Sequence, residues 1–152
     1  MFTQHAAMLD ALSRLRAPNA DSSHFLIGGG NYALPRAFAA RGQQHTTVAE
    51  IDPEVTALAE RDFWFDPATT RVLHMDARRA LLIEGKTYDI VIGDAFTDTA
   101  VPQHLFTREF FELIQSRLTP NGSYLMNVID YSDRHQAVGS RVGTLREGFS
   151  LR

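Results

Sequence analysis

Three acidic residues, Glu50, Asp76 and Asp94, and a run of three glycines, Gly28 to Gly30, each stand at the end of a short apolar stretch of this 152-residue chain. A carboxylate in such a position can accept hydrogen bonds from a diol or an amino group. A glycine turn lets the backbone approach a ligand closely, because no Cβ intervenes. Glu50 follows Gly30 by about 20 residues, the separation at which an acid ending a second strand meets the ribose of a nucleotide seated on a first glycine turn. Gly28, Gly30 and Ala33 also satisfy G-x-G-x-x-A, although glycines serve equally wherever a strand turns tightly into a helix. Asp76 separates the cofactors. An acid ending a third strand suits the amino group of an adenine, and a dinucleotide enzyme needs no acid there. An adenosine with a short sulfonium side chain therefore accounts for more of these residues than NAD does.

The elements that must position them alternate regularly. Apolar runs at 24–29, 45–52, 71–77, 88–96 and 123–129 read as strands, and the segments at 35–42, 53–62, after 77 to about 84, 105–118 and 133–148 as helices. Asp52 is placed to cap the second of these helices and Pro53 to open it. "TPNG" at 119–122 reads as a turn. Most of the strands are near-continuous apolar runs, as expected of a parallel sheet covered on both faces by right-handed crossovers. The expected fold is α/β, a Rossmann-like doubly wound sheet forming one domain over residues 1–152. Ligands of such folds bind outside the carboxyl ends of the strands, and those ends are where Gly28–Gly30, Glu50, Asp76 and Asp94 fall.

Composition excludes several classes. With 15 basic and 18 acidic residues the formal net charge is −3, which argues against a nucleic-acid binder that must neutralise phosphates. No apolar stretch approaches the roughly 20 residues of a membrane span, so no membrane partner is expected. The absence of cysteine removes disulfides, thiolate metal sites and a cysteine nucleophile, and a cytoplasmic location is expected. The six histidines form no H-x-x-x-H or H-E pattern, and there is no G-x-S-x-G elbow. His24 and His74 read as structural residues within strands, "DFWF" at 62–65 as aromatics packed on the core, and no metal is expected.

The stretches "LIGGGNYALPR", "VAEIDPEV", "RVLHMDARRAL", "YDIVIGDAF" and "LFTREFFELIQSRLTPNG" resemble, in order over about residues 24–130, the nucleotide-binding core of the spermidine synthase family of polyamine aminopropyltransferases. That core runs GGGDG, EID, a D-G or D-A pair, YDVIxxD and LFTxEFF. The resemblance implies a fold of the S-adenosylmethionine-dependent methyltransferase type. It also implies binding of decarboxylated S-adenosylmethionine, or of S-adenosylmethionine itself, as substrate. Gly28, Gly29, Gly30, Glu50, Ile51, Asp76 and Ala77 would then contact this donor, with Glu50 on the ribose and Asp76 on the adenine. Asp94 matches the family's catalytic aspartate, which deprotonates the attacking amine of putrescine or a similar acceptor. Asn31, Asp98 and Asn127 fall at or beside acceptor-side positions.

The departures weaken the acceptor side. The aspartate of GGGDG is Asn31 here, the second acid of the family's D-S-S-D segment falls on Thr97 with Asp98 next to it, and the glutamine after the fifth strand aligns with Asn127. A diamine dication is best held by several carboxylates. An upstream tyrosine motif is reduced to "MFTQHAAML", and the fold is expected to lack the family's N-terminal β-hairpin domain and its last strands. The pattern is thus short and divergent, closer to synthase-like proteins than to a standard spermidine synthase. It predicts weak or altered aminopropyl transfer and an exposed sheet edge open to self-association. A methyltransferase and a non-catalytic nucleoside-binding or assembly module are the alternatives.

Overall fold

The computed structural model describes residues 3–93, 105 and 107–127. Five strands, β1 (Ser23–Ile27), β2 (His45–Ala49), β3 (Arg71–Leu73), β4 (Tyr88–Gly93) and β5 (Leu118–Met126), form one sheet in the order β3-β2-β1-β4-β5 with every pair parallel. The chain runs outward from β1 through β2 to β3 and then crosses to β4 on the other side of β1. The switch in strand order therefore lies at the carboxyl end of β1, where the glycine run begins.

Alternation along the strands divides the core. Phe25, Ile27, Ala49 and Val91 point to the face covered by α4 (Ala77–Glu84) and α5 (Arg108–Ser116). Leu26, Val48, Ile90 and Ile92 point to the opposite face and meet Leu9 of α1 (Gln4–Arg16), Leu34 and Phe38 of α2 (Ala33–Ala40) and Ala59 of α3 (Pro53–Asp62). Helices on both faces explain why Phe25–Ile27, Val48–Ala49 and Ile90–Ile92 are buried apolar runs at the centre of the sheet.

Local chemistry sets the helix starts. Asp52 caps α3 through a hydrogen bond from the Glu54 N–H at 2.9 Å, with Pro53 in the first position, as the sequence predicts. Thr107 caps α5 in the same manner. Residues 119–122 do turn, but inside a strand: the β4–β5 register passes from Tyr88↔Leu118 to Ile90↔Ser123, and a Cβ at Gly122 would lie 3.0 Å from the Thr119 backbone. The segment is a bulge within β5, not a connection ahead of it.

One element was not expected, and one expectation needs correction. Residues 4–16 form a helix that the pattern does not announce, because Met8, Leu12 and Leu15 are exposed while Ala6, Leu9 and Ser13 are buried; apolar residues on both sides blur the period. Of the aromatics at 63–65 only Phe65 is buried, and Trp64 is 82% exposed.

His24 lies fully buried in β1, stacked on Phe38 with ring centroids 4.1 Å apart, and neither ring nitrogen has a hydrogen-bond partner among the described residues. Burial, aided by the Arg41 charge and opposed by Asp89 and Asp10, pushes its pKa from 6.5 down to about 4. The folded protein thus refuses a proton that the unfolded chain accepts below pH 6.5. Stability falls as the pH drops from 6.5 towards 4, by about 3 kcal/mol at the limit. His24→Phe is expected to remove this component, leaving a shallower loss of urea stability between pH 6.5 and 4 than wild type shows. Parallel pH profiles in the two proteins would contradict the assignment.

Candidate functional site

The carboxyl ends of the first three strands are tied together beyond the sheet itself. The Gly28 N–H donates to the Ala49 carbonyl at 2.8 Å, and the Glu50 N–H to the Leu73 carbonyl at 3.0 Å. These bonds continue the ladder by one residue and bring the loops after β1, β2 and β3 side by side.

Glu50 is the centre of this arrangement. It is only 7% exposed, so it is not a solvated strand end. Its Oε2 accepts from the Gly29 N–H at 2.9 Å and its Oε1 from the Asp52 N–H at 3.0 Å. Two backbone donors thus fix the carboxylate plane. An ionised carboxylate has about four lone-pair sites, so each oxygen retains acceptor capacity for the two hydroxyls of a ribose.

The glycine run is shaped by both of its uses. Gly28 and Gly30 adopt φ of 84° and 56°, the left-handed region that glycine enters without penalty. A Cβ at Gly30 would meet nothing within 4 Å, whereas one at Gly29 would overlap the Tyr32 ring. Gly30 therefore borders open space, the condition for close approach of a ligand to the backbone. Gly29 is needed for packing.

Asp76 is the N-cap of α4, its Oδ1 accepting from the N–H groups of Arg78 at 3.0 Å and Arg79 at 3.2 Å. Ala77 packs into the core at 5% exposure, leaving its backbone for any ligand contact. Ile51 projects outward at 71% exposure directly after Glu50, an apolar side chain available to a flat ring. The Asn31 Oδ1 accepts from the Ala33 N–H at 3.1 Å, so this side chain is partly committed to starting α2. Asn127 follows β5, its N–H donating to the Gly93 carbonyl at 3.0 Å. Asp94 and Asp98 lie outside the described residues; β4 is described as far as Gly93, which is paired with Ile27 at the switch point.

One residue escaped the sequence reading, and another lies elsewhere than that reading placed it. Tyr32 is fully buried beneath the glycine run, its hydroxyl 2.7 Å from the Thr56 Oγ1. His74 lies just beyond β3, not within it, and its exposed ring bonds the same Thr56 Oγ1 through Nε2 at 3.0 Å. Among the described residues there is no group of three or more His, Asp or Glu side chains arranged to hold a metal, and no helix is long and apolar enough to cross a membrane.

No family model matches the chain. A polyamine aminopropyltransferase of Vibrio vulnificus is 37% identical over 112 residues, covering 70% of this chain and 38% of that protein. An N-terminal histidine N-methyltransferase of Emericella nidulans is 33% identical, covering 72% of this chain and 21% of that one. Among solved structures, a probable spermidine synthase from Corynebacterium glutamicum superposes with a TM-score of 0.80 at 28% identity, over 97% of this chain and 55% of that chain. Human methyltransferase-like protein 13 in complex with SAH gives the same score at 21% identity, over 99% and 75%. The fold is thus the doubly wound sheet shared by S-adenosylmethionine-dependent methyltransferases and spermidine synthases. The chain spans less than half the length of these two curated relatives.

Proposed function

From the chain's membership of the polyamine aminopropyltransferase (spermidine synthase) family we propose that it binds an adenosyl sulfonium donor at the ends of β1–β3 and transfers the donor's aminopropyl group to a small amine. The observation that carries this reading is the buried Glu50 carboxylate, clamped between the Gly29 and Asp52 amides at the tip of β2.

The residues divide the work as follows. The Glu50 carboxylate accepts the ribose hydroxyls, Ile51 lies against the adenine, and Asp76 accepts from its amino group. The Gly30 backbone borders the sulfonium side chain. On the acceptor side, Asn31 and Asn127 flank the amine, with Asp98 as a further anionic contact. Asp94 takes the amine's proton. The free nitrogen then attacks the aminopropyl carbon next to sulfur, the C–S bond breaks towards sulfur, and methylthioadenosine leaves as a neutral thioether. Because the sulfonium is already a good leaving group, holding the two reactants in line supplies much of the acceleration, and proton removal adds about 10²–10⁴-fold.

The relatives named for aminopropyl transfer support this reading, and the aligned N-methyltransferase supports a second one, methyl transfer from S-adenosylmethionine in the same cleft. The donor discriminates between them. Incubation with decarboxylated S-adenosylmethionine and a panel of diamines, putrescine included, should release methylthioadenosine and an aminopropylated product. Turnover of S-adenosylmethionine alone, with S-adenosylhomocysteine as product, would favour the methyltransferase.

Asp76 has a structural duty and a proposed recognition duty, which one substitution can separate. Asp76→Asn keeps an oxygen to cap α4 and offers an amino group where the adenine presents its own. Wild type should prefer adenosine thioethers over their inosine counterparts, and Asp76→Asn should reduce that preference, because a site built around a donor is left unpaired by its absence. Competition binding checks this; equal discrimination in both proteins would remove Asp76 from the adenine.

A further inference from the structure

Tyr32 is a bulky residue in the left-handed region, with φ 58° and ψ 26°. Such a conformation is costly for any residue but glycine and persists only where the surroundings determine it. Here they do. Tyr32 stands at the fifth position of "GGGNY", where the resembled GGGDG pattern has glycine, and its backbone already closes the turn, its N–H donating to the Gly29 carbonyl at 2.9 Å.

The side chain accounts for the conformation. The ring lies against the Gly29 backbone so closely that a Cβ there would overlap it, and it packs on Phe65 with centroids 4.2 Å apart. The hydroxyl meets the Thr56 Oγ1 in α3 at 2.7 Å, and Thr56 in turn meets the His74 Nε2 at 3.0 Å. This chain of three side chains joins the loop after β1, the helix that follows Glu50, and the loop that leads two residues later to Asp76. It runs behind the residues proposed to hold the nucleoside, and it touches the segment whose Gly29 N–H is bonded to Glu50.

We propose that Tyr32 is a positioning residue for the nucleoside site, holding Gly29 against Glu50 through its ring and locking the three site loops in register through the Tyr32–Thr56–His74 hydrogen bonds. The inference rests on the nucleoside reading for its effect on affinity, but its structural part is testable without ligand. A residue that only fills the core would lower stability when altered and leave the loop geometry of the remaining folded protein unchanged. A positioning residue alters that geometry at constant fold.

The test uses the full chain as Tyr32→Phe, Thr56→Val, Thr56→Ser and the Tyr32→Phe/Thr56→Val pair. Amide hydrogen exchange is followed at Gly29 without ligand, and methylthioadenosine affinity by calorimetry. Tyr32→Phe keeps the ring and loses the hydroxyl. It should speed Gly29 exchange and weaken methylthioadenosine by about two- to tenfold, the range of one hydrogen bond. The pair should be no worse than Thr56→Val alone, because both changes break one network, and Thr56→Ser should restore wild-type behaviour. Unchanged Gly29 exchange and affinity in a folded but less stable Tyr32→Phe protein would overturn the proposal, as would additive losses in the pair. If Tyr32→Phe does not fold, the comparison of Thr56→Ser with Thr56→Val decides on the same readouts. If wild type fails to bind methylthioadenosine, it is the nucleoside reading that falls, and Gly29 exchange alone then upholds or overturns the role of Tyr32.

Discussion

Asp94→Asn should lower aminopropyl transfer from the decarboxylated donor by about 10²–10⁴-fold while leaving methylthioadenosine affinity nearly unchanged. The asparagine amide is close in shape to the carboxyl group but cannot take a proton, so an acceptor amine held as its ammonium form has no lone pair for attack. Donor binding depends on a different set of residues, at the ends of β1–β3. The acceptor side offers a gain as well as a loss. Asn31 stands where the resembled family has an acid, and its Oδ1 already accepts from the Ala33 N–H at the start of α2. Asn31→Asp preserves that acceptor and puts a negative charge at a helix N-terminus, where the dipole favours it. A restored carboxylate near a protonated amine adds a charge-assisted contact, so Asn31→Asp should raise putrescine transfer above the weak wild-type level. Silence of both wild type and Asn31→Asp with every diamine, in a protein that binds the donor, would transfer the reading to methyl transfer or to binding without catalysis.

Glu50→Ala is expected to weaken methylthioadenosine at least about tenfold, equivalent to about 1.4 kcal/mol. The gross loss is larger, since hydrogen bonds to a charged group are each worth about 1.5–3 kcal/mol before water replaces part of them. The sequence alone leads one to expect little change in melting temperature. The structure revises this, because the same carboxylate holds the Gly29 and Asp52 amides. Glu50→Ala should therefore also lower the melting temperature. Glu50→Gln is the sharper probe: one carboxylate oxygen becomes an amino group, which cannot accept from whichever backbone N–H it faces. Calorimetry on both variants, with melting curves to establish that they are folded, checks the prediction. Unchanged affinity in folded Glu50→Ala would remove the ribose from Glu50.

What could be read in advance follows from how local each signal is. The Asp52-Pro53 pair starts α3 by chemistry confined to three residues, and it is found where the sequence places it. The strand ends that carry Gly28, Glu50 and Asp76 were legible because a buried parallel strand is a continuous apolar run that stops at its first polar or turn residue. β1, β2 and β3 are shorter than those runs, with β3 ending at Leu73 although the expected strand reached residue 77, whereas β5 starts at Leu118, ahead of the expected residue 123. Hydrogen bonding stops before the polar signal does. α1 was hidden because its apolar residues serve both a packed and an exposed face. Tyr32 was hidden for a deeper reason. A tyrosine in "GGGNYALPR" gives no sign that it takes a glycine's conformation, and its partners Thr56 and Phe65 lie 24 and 33 positions away along the chain. The dual use of Glu50, as backbone clamp and proposed ribose acceptor, likewise depends on the fold bringing Gly29 to it.

The central claim is that the cleft at the ends of β1–β3 takes an adenosyl thioether or sulfonium in preference to a dinucleotide. Isothermal calorimetry of the wild-type chain against methylthioadenosine, decarboxylated S-adenosylmethionine, S-adenosylmethionine and NADH tests it most directly. Saturable binding of the adenosyl sulfur compounds, with NADH silent, is the predicted result. Binding of NADH with no response to any of the other three would contradict it.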